Sequence, residues 1–388
     1  MRFFFSVGDP SGDQHAAHLI SELRKRNPAI ECYGFGGPAM KQAGCRLLYR
    51  LTDLAVMGLL HVIPLLWKFR RLVHQAREEF AESPPDAVVL VDFPGFNWWV
   101  ARQAKRSRVP VYYYLPPQLW AWAPWRVERM RRLVDHVLCA LPFEFDWYRR
   151  REVAATYVGH PFFDEVADRT IDDKLINRWN AAGGGTKLGV LPGSRDLEVH
   201  RNWPVMVAVL HRLHRKHPEI RFRVACYRDE HRALCKELIA GSECSVPMDY
   251  EVGQTSEVIE WADCCLMVSG SVSLELLARR TPAVVVYRVG RITRLLSRVG
   301  LNCRFISLPN LIADSEVMPE FLSAGNPDRD VERMTGVISR WIDDPAALAN
   351  DREALTTLAA EAASPGATMR AADHLVRECV SNRAIRSA

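Results

Sequence analysis

Two stretches of the chain carry residue types suited to handling phosphate, and a third offers a carboxylate placed for proton transfer. The first is 187–199, KLGVLPGSRDLEV, where the apolar run 188–191 breaks at Pro192-Gly193 and delivers Ser194 and Arg195 to a helix start. Helix starts leave backbone N–H groups unpaired and so attract anions. Arginine adds a planar, permanently charged fork that fits a phosphate. The plainer reading is an ordinary strand–helix turn with a solvated arginine. The second stretch repeats the theme: strand 264–268 runs into Ser269-Gly270-Ser271-Val272-Ser273, with Glu275 one turn into the helix. Hydroxyls and glycine there suit a phosphate; Glu275 either chelates the vicinal hydroxyls of a ribose or complements the helix dipole.

The carboxylate is Asp92, at the end of the fully apolar run 87–91. Open parallel sheets place ligand-handling groups at that end of a central strand; a helix N-cap is the alternative. Ser11 and Asp13, in GDPSGD after the first strand, either cap the following helix or line the same edge. His160, in VGHP, reads as an ordered turn histidine before it reads as a catalyst. The segment 306–311, ISLPNL, returns the chain toward that edge.

The elements that must hold these residues alternate strand and helix twice over. Strands are expected at 2–7, 30–35, 87–91, 109–115, 136–141 and 156–161, then at 187–191, 221–226, 248–251, 264–268 and 283–287. Helices are expected between them, including 14–26, 97–107 and 203–216. With 388 residues the chain exceeds what one core usually supports. Residues 1–165 form a first Rossmann-like domain and 166–186, ending in Gly183-Gly184-Gly185, a linker. Residues 187–365 form the second domain, and a helix and tail at 366–388 cross back to the first.

Composition narrows the function. A net charge of +5 is too mild and scattered for a nucleic-acid partner and suits an anionic small molecule or membrane surface. GDPSGD lacks the GxGxxG spacing, which disfavours a nicotinamide or flavin site. Ten cysteines show neither C-x-x-C pairs nor metal-ligand spacing and read as buried thiols of a reducing compartment. No metal and no cofactor is expected. No apolar run reaches the ~18 residues of a membrane span.

One segment is nonetheless unusually apolar beside a basic cluster, 54–77, broken by Gly58, His61 and Pro64. It reads either as a core-facing helix with a solvated basic face or as an interfacial element. In the second case Leu60, Val62, Ile63, Leu66 and Phe69 enter a membrane while the neighbouring arginines meet lipid phosphates. The loop 116–126, PPQLWAWAPWR, is too aromatic for an ordinary surface turn and either plugs the site or contacts sugar or acyl groups.

Taken in order, these pieces resemble the lipid-A-disaccharide synthase family, of the GT-B glycosyltransferase fold. The likeness runs through SGD at 11–13, GFGGPAM and GC at 34–45, LAVMG at 54–58, VDFPGFN at 91–97 and LWAW at 119–122. It continues through LPFE at 141–144, VGHP at 158–161, LPGSR with EV at 191–199, SGS with LE at 269–275 and SLPNL at 307–311. The sequence departs from the family's pattern at Asp9-Pro10, Gly95 and Pro116-Pro117-Gln118, positions that bear on acceptor recognition. The resemblance implies an α/β fold of two parallel sheets facing across a cleft. It implies transfer of a diacylated glucosamine from UDP to the 6-hydroxyl of diacylglucosamine 1-phosphate, giving a β-1,6 disaccharide and UDP. Under it Asp92 is the base; Gly193, Ser194 and Arg195 hold the diphosphate; Ser269, Gly270, Ser271 and Glu275 hold phosphate and ribose; and Asn310 orients the donor. Ser11, Asp13 and His160 are secondary. The expected partners are the UDP-diacylglucosamine, the acylated glucosamine phosphate and the inner-membrane surface, with the protein peripheral on its cytoplasmic side. A homodimer, a different acceptor, a UDP-sugar epimerase and a non-catalytic nucleotide-sugar binder stay open.

Overall fold

Each strand pairing found among the described residues is parallel, as short runs of fully apolar residues require when helices cover both faces of a sheet. The structure is a computed structural model that describes residues 1–55, 62–240, 246–290 and 303–387, apart from the side chains of 55, 62–65 and 384–387. The chain divides into two units, Met1–Asp164 with Pro365–Ala388, and Glu165–Ser364.

The front unit has seven strands: β1 Arg2–Val7, β2 Glu31–Gly36, β3 Arg46–Arg50, β4 Ala87–Val91, β5 Val111–Tyr114, β6 His136–Cys139 and β7 Ala155–Tyr157, ordered β3-β2-β1-β4-β5-β6-β7. Its helices are α1 Pro10–Arg26, α2 Pro38–Gln42, α3 Thr52–Ala55, α4 Val62–Glu82, α5 Pro94–Arg106, α6 Leu119–Trp122, α7 Val127–Leu133, α8 Pro142–Arg149 and α9 Phe162–Asp168, which crosses into the second unit. Alternation along the strands sorts the core into two layers. Phe4, Val88 and Tyr113 face α4, α5 and α7, whereas Phe3, Phe5, Val89 and Tyr112 face α1 and the returning C-terminal helix. Gly34 has φ +139°, and any Cβ there would lie 2.1 Å from the Phe5 carbonyl oxygen, so only glycine lets β2 approach β1 at this bulge.

The rear unit has six strands: β8 Lys187–Leu191, β9 Arg221–Cys226, β10 Met248–Val252, β11 Cys264–Val268, β12 Ala283–Arg288 and β13 Glu320–Ser323, ordered β10-β9-β8-β11-β12-β13. Its helices are α10 Asp173–Ala181, α11 Asp196–Lys216, α12 Asp229–Ile239, α13 Thr255–Trp261, α14 Val272–Arg279, α15 Leu308–Ala313, α16 Asp328–Asp343 and α17 Pro345–Ala362. The last helix, α18 Ala367–Ser387, belongs to the front unit and buries Ala371, Ala372, Leu375 and Cys379 against its sheet. Asp164 caps it, accepting from the backbone N–H groups of Gly366, Ala367 and Thr368.

Several boundaries differ from the sequence reading. The segment 166–186 is not a simple linker: α10 buries Leu175 and Trp179, one turn apart, and the Arg223 guanidinium lies 4.3 Å from the Trp179 ring. Its polar composition belongs to the outer face of an amphipathic helix. Prolines at the first turn start α1 and α5 earlier than expected, at Pro10 and Pro94. Helix α11 begins at Asp196 and runs through Pro204 instead of starting at 203.

Candidate functional site

Asp92 follows β4 on two consecutive residues in the left-handed region, Asp92 at φ 41° and Phe93 at φ 46°. Non-glycine residues rarely adopt such angles, and they persist where the surroundings over-determine them. Here fully buried Asn97 supplies that constraint. Its Nδ2 donates to the carbonyl oxygens of Asp92 at 2.7 Å and of Val91 and Ser6 at 3.2 Å, while its Oδ1 accepts from Ser6 Oγ at 2.7 Å. The phenol of buried Tyr113 donates to the same Asp92 carbonyl at 2.6 Å. Phe93 closes over Gly8, where a Cβ would fall 2.3 Å from the ring. Asp92 itself is exposed. The protein mass around it, and then the nearby Asp9 carboxylate, push its pKa above the ordinary value, against a backbone N–H bond from Phe93 that lowers it.

The turn after β1 lies at the same edge. Asp9, not Ser11 or Asp13, caps α1, accepting from Ser11 and Gly12 N–H at 3.0 and 3.4 Å. Ser11 is exposed. Asp13 is buried, and its carboxylate accepts from Gly37, Ala39 and Met40 N–H, so it pins the start of α2. At the end of β7, His160 Nδ1 accepts the Phe162 N–H at 3.2 Å, which leaves its proton on Nε2. Burial, and then the neighbouring His15, depress its pKa to about 3, so it is a neutral donor and no base at neutral pH. That matches its reading as an ordered turn histidine.

The aromatic loop is held from below. Trp120 is buried and donates Nε1–H to Glu144 Oε1 at 2.9 Å; the Tyr148 phenol reaches the Pro117 carbonyl at 3.4 Å. Burial lifts the Glu144 pKa to about 7, against the hydrogen bonds from Trp120 and the backbone N–H groups of Leu141 and Ala140. LWAW and LPFE, two separate pieces of sequence, thus form one anchored unit.

In the rear unit the order β9-β8-β11-β12 sets β8 and β11 side by side, with a change of winding direction between them. Ligands of open parallel sheets bind outside such a switch point. The two turns that leave it are 192–195 and 269–271. Gly193 takes φ +118°, and a Cβ there would come within 2.9 Å of Glu198 Cβ. Arg195 N-caps α11 with its side chain 80% exposed. Glu198 bridges the turn: Oε2 accepts from Ser194 N–H at 3.2 Å and Oε1 from Arg195 Nη1 at 2.8 Å. A carboxylate therefore already rests on the two donors that an anion would use. In the second turn Gly270 and Ser271 are exposed, a Cβ on Gly270 would meet nothing, and Ser269 Oγ donates to the Ile306 carbonyl at 3.2 Å.

Glu275 is buried one turn into α14, where Oε1 accepts from Arg279 Nε at 3.0 Å. Asn310 departs from expectation. Its Nδ2 donates to the Met318 carbonyl and Glu320, and its Oδ1 accepts from Val317 and Met318 N–H. The amide is fully buried and fully engaged in tying α15 to β13, which leaves nothing to orient a donor. Residues overlooked in the sequence are those that brace the turns: Asn97, Tyr113, Glu144, Glu198 and Glu320. Of these only Glu198, an acid in the first turn of a helix, carries a local signal.

Of the residues read as membrane-facing, Leu60 lies outside the described residues and the side chains of Val62 and Ile63 are not described. Leu66 is 60% exposed. Phe69 instead turns inward, its ring 5.3 Å from Phe96 and 6.2 Å from Phe93, because the core stripe of α4 runs Phe69, Leu72, Val73, Ala76 and Phe80. No described helix is long and apolar enough to cross a membrane.

Comparison with known proteins gives a consistent result. The profile of a family described as lipid-A-disaccharide synthetase matches residues 3–337. The lipid-A-disaccharide synthase of Myxococcus xanthus is 35% identical over 377 residues, 97% of each chain, and that of Geobacter sulfurreducens 30% identical over 371 residues, 96% of this chain and 95% of the relative. Among solved structures, UDP-GlcNAc 2-epimerase from Neisseria meningitidis bound to UDP-GlcNAc superposes with a TM-score of 0.62 at 11% identity, covering 97% of this chain and 100% of the other. The calicheamicin glycosyltransferase CalG4 gives 0.60 at 16%, covering 99% of each. At such identities these two speak for the fold alone.

Proposed function

The chain belongs to the lipid-A-disaccharide synthetase family, and from that premise we propose how its own residues divide one glycosyl transfer. The enzyme is a glycosyltransferase of GT-B fold that makes the lipid A disaccharide. The donor is UDP-2,3-diacylglucosamine and the acceptor 2,3-diacylglucosamine 1-phosphate. The acceptor 6-hydroxyl gives its proton to Asp92 as its oxygen bonds the anomeric carbon. The bond from that carbon to the diphosphate breaks, its electron pair leaves with UDP, and the configuration inverts. Arg195, the Ser194 N–H and the 269–271 turn at the start of α14 meet the charge that develops on the leaving group. Donor binding then requires Glu198 to release the Ser194–Arg195 turn. Glu275 serves the ribose through the carboxylate oxygen that Arg279 does not hold. The protein works at the inner face of the cytoplasmic membrane, with exposed Leu66 toward the acyl chains.

The observation that carries this reading is the Asp92 turn, a carboxylate displayed on strained backbone and with a raised pKa. The test is disaccharide formation by mass spectrometry with both lipid substrates. Asp92→Asn is expected to lower turnover by ~10²–10⁴ while UDP still binds, and Arg195→Ala to weaken UDP binding. Turnover close to wild type in Asp92→Asn removes the base assignment.

A further inference from the structure

A second feature lies at the same end of the front sheet and is not explained by the transfer chemistry. Four tryptophans there are heavily exposed: Trp67 at 67%, Trp99 at 52%, Trp122 at 39% and Trp125 at 70%. Three follow a strand closely: Trp99 is in the second turn of α5 after β4, and Trp122 and Trp125 are in the short helical turns after β5. Trp67 is in the second turn of α4, two residues before Phe69, whose ring lies 6.2 Å from that of Phe93 beside Asp92. In a parallel sheet the helices start at the carboxyl edge, so all four belong to the rim that holds Asp92. Helices α4, α5 and α7 cover one face of the sheet together.

Three of these indoles carry a stacked guanidinium from one turn further along: Arg70 over Trp67 at 5.8 Å, Arg102 over Trp99 at 5.1 Å and Arg126 over Trp122 at 4.8 Å. None of the three arginines is paired with a carboxylate among the described residues. Arginines on the opposite face are neutralised within the fold, Arg26 by Glu22 and Asp373 and Arg383 by Asp86. The rim therefore presents large amphipathic rings and uncompensated positive charge side by side. Indoles prefer the headgroup level of a bilayer, and guanidinium groups match lipid phosphates.

We infer that the tryptophan–arginine stacks of α4, α5 and the 119–126 turns form a continuous contact surface for an anionic phospholipid bilayer. This extends the lipid-facing reading of Leu66 on α4, on which it rests, to two further elements. It makes the aromatic loop braced by Glu144 an interfacial anchor. Seated in this way, the rim brings the end of β4 to the headgroup layer.

The test is co-sedimentation of the full-length protein with phosphatidylethanolamine–phosphatidylglycerol vesicles and with phosphatidylcholine vesicles. Three variants are compared: Trp99→Ser/Trp125→Ser, Arg102→Gln/Arg126→Gln, and Leu66→Ser/Trp67→Ser, each checked for wild-type near-UV circular dichroism and UDP affinity. The first two are expected to lose roughly tenfold or more of their binding to the anionic vesicles, the arginine pair doing so in a salt-dependent manner. Tryptophan fluorescence of the wild type is expected to shift to the blue on anionic vesicles, and less so in Trp99→Ser/Trp125→Ser. If those two variants sediment like wild type while Leu66→Ser/Trp67→Ser does not, the surface is confined to α4 and the inference fails alone. If no variant changes binding, the lipid reading of α4 falls with it. Wild type that ignores vesicles but self-associates through these tryptophans makes the rim a protein contact and overturns the inference.

Discussion

The acidity of Asp92 is set by what lies next to it in space. Asp9 follows a different strand, 83 residues earlier in the chain, yet its charge helps to raise the Asp92 pKa. With Asp92 as the proposed base, which must be ionised to act, activity is expected to fall on acidification through that raised value. Asp9→Asn keeps the helix cap, since asparagine accepts the same N–H groups, but removes the charge. The acid limb of kcat/KM is expected to move to lower pH in this variant; an unmoved limb would show that Asp9 has no part in tuning the base. The position of Asp92 at the carboxyl end of β4 was legible in the sequence because five apolar residues run directly into it. Asn97 was not, because an asparagine beside Trp98 and Trp99 gives no hint that its amide will hold a carbonyl knot. Asn310 differs again: the family resemblance implies a donor contact, whereas the fold uses its amide to tie α15 to β13.

At the scale of elements, the strands were the most readable part, since parallel strands buried on both faces are short apolar blocks. Helix starts were less so: first-turn prolines and a remote cap such as Asp164 act on segments whose own sequence is unremarkable in pattern. The docking of α18 has a titratable seam. His374 is buried with its ring 4.4 Å from that of His136 on β6, and Arg377 approaches its Nδ1 at 3.4 Å. Burial, then His136 and Arg377, depress the His374 pKa from 6.5 to about 4. A histidine kept neutral in the folded state contributes full stability above its unfolded value. That stability is lost as pH falls from 6.5 toward 4, because the unfolded chain takes up the proton first. Thermal unfolding is expected to show a loss of about 1–3 kcal/mol across this window. His374→Phe is expected to reduce that slope, and an equal slope in both proteins would assign the acid sensitivity elsewhere.

For the molecule as a whole, the two-sheet architecture and the return of the last helix were readable from the repeated alternation and the length. The 166–186 boundary was not, since composition alone cannot separate a polar linker from an amphipathic helix of nine residues. The rear unit is one continuous stretch with its own core, Glu165–Ser364. Expressed alone it is expected to unfold cooperatively and to bind UDP without catalysing transfer; a molten product would mean that its core needs the other unit.

The front unit has no such independence. One face of its sheet, including Phe3, Phe5 and Val89, is covered jointly by α1 and α18, and α18 is made only after the whole of the rear unit. At ~5–20 residues per second, a ribosome takes roughly 10–40 s to build the roughly 200 intervening residues. During that interval the part of this apolar face that α18 covers waits open. The nascent protein is therefore most vulnerable to aggregation midway through its synthesis, and the rear unit completes its fold before the unit that was begun first.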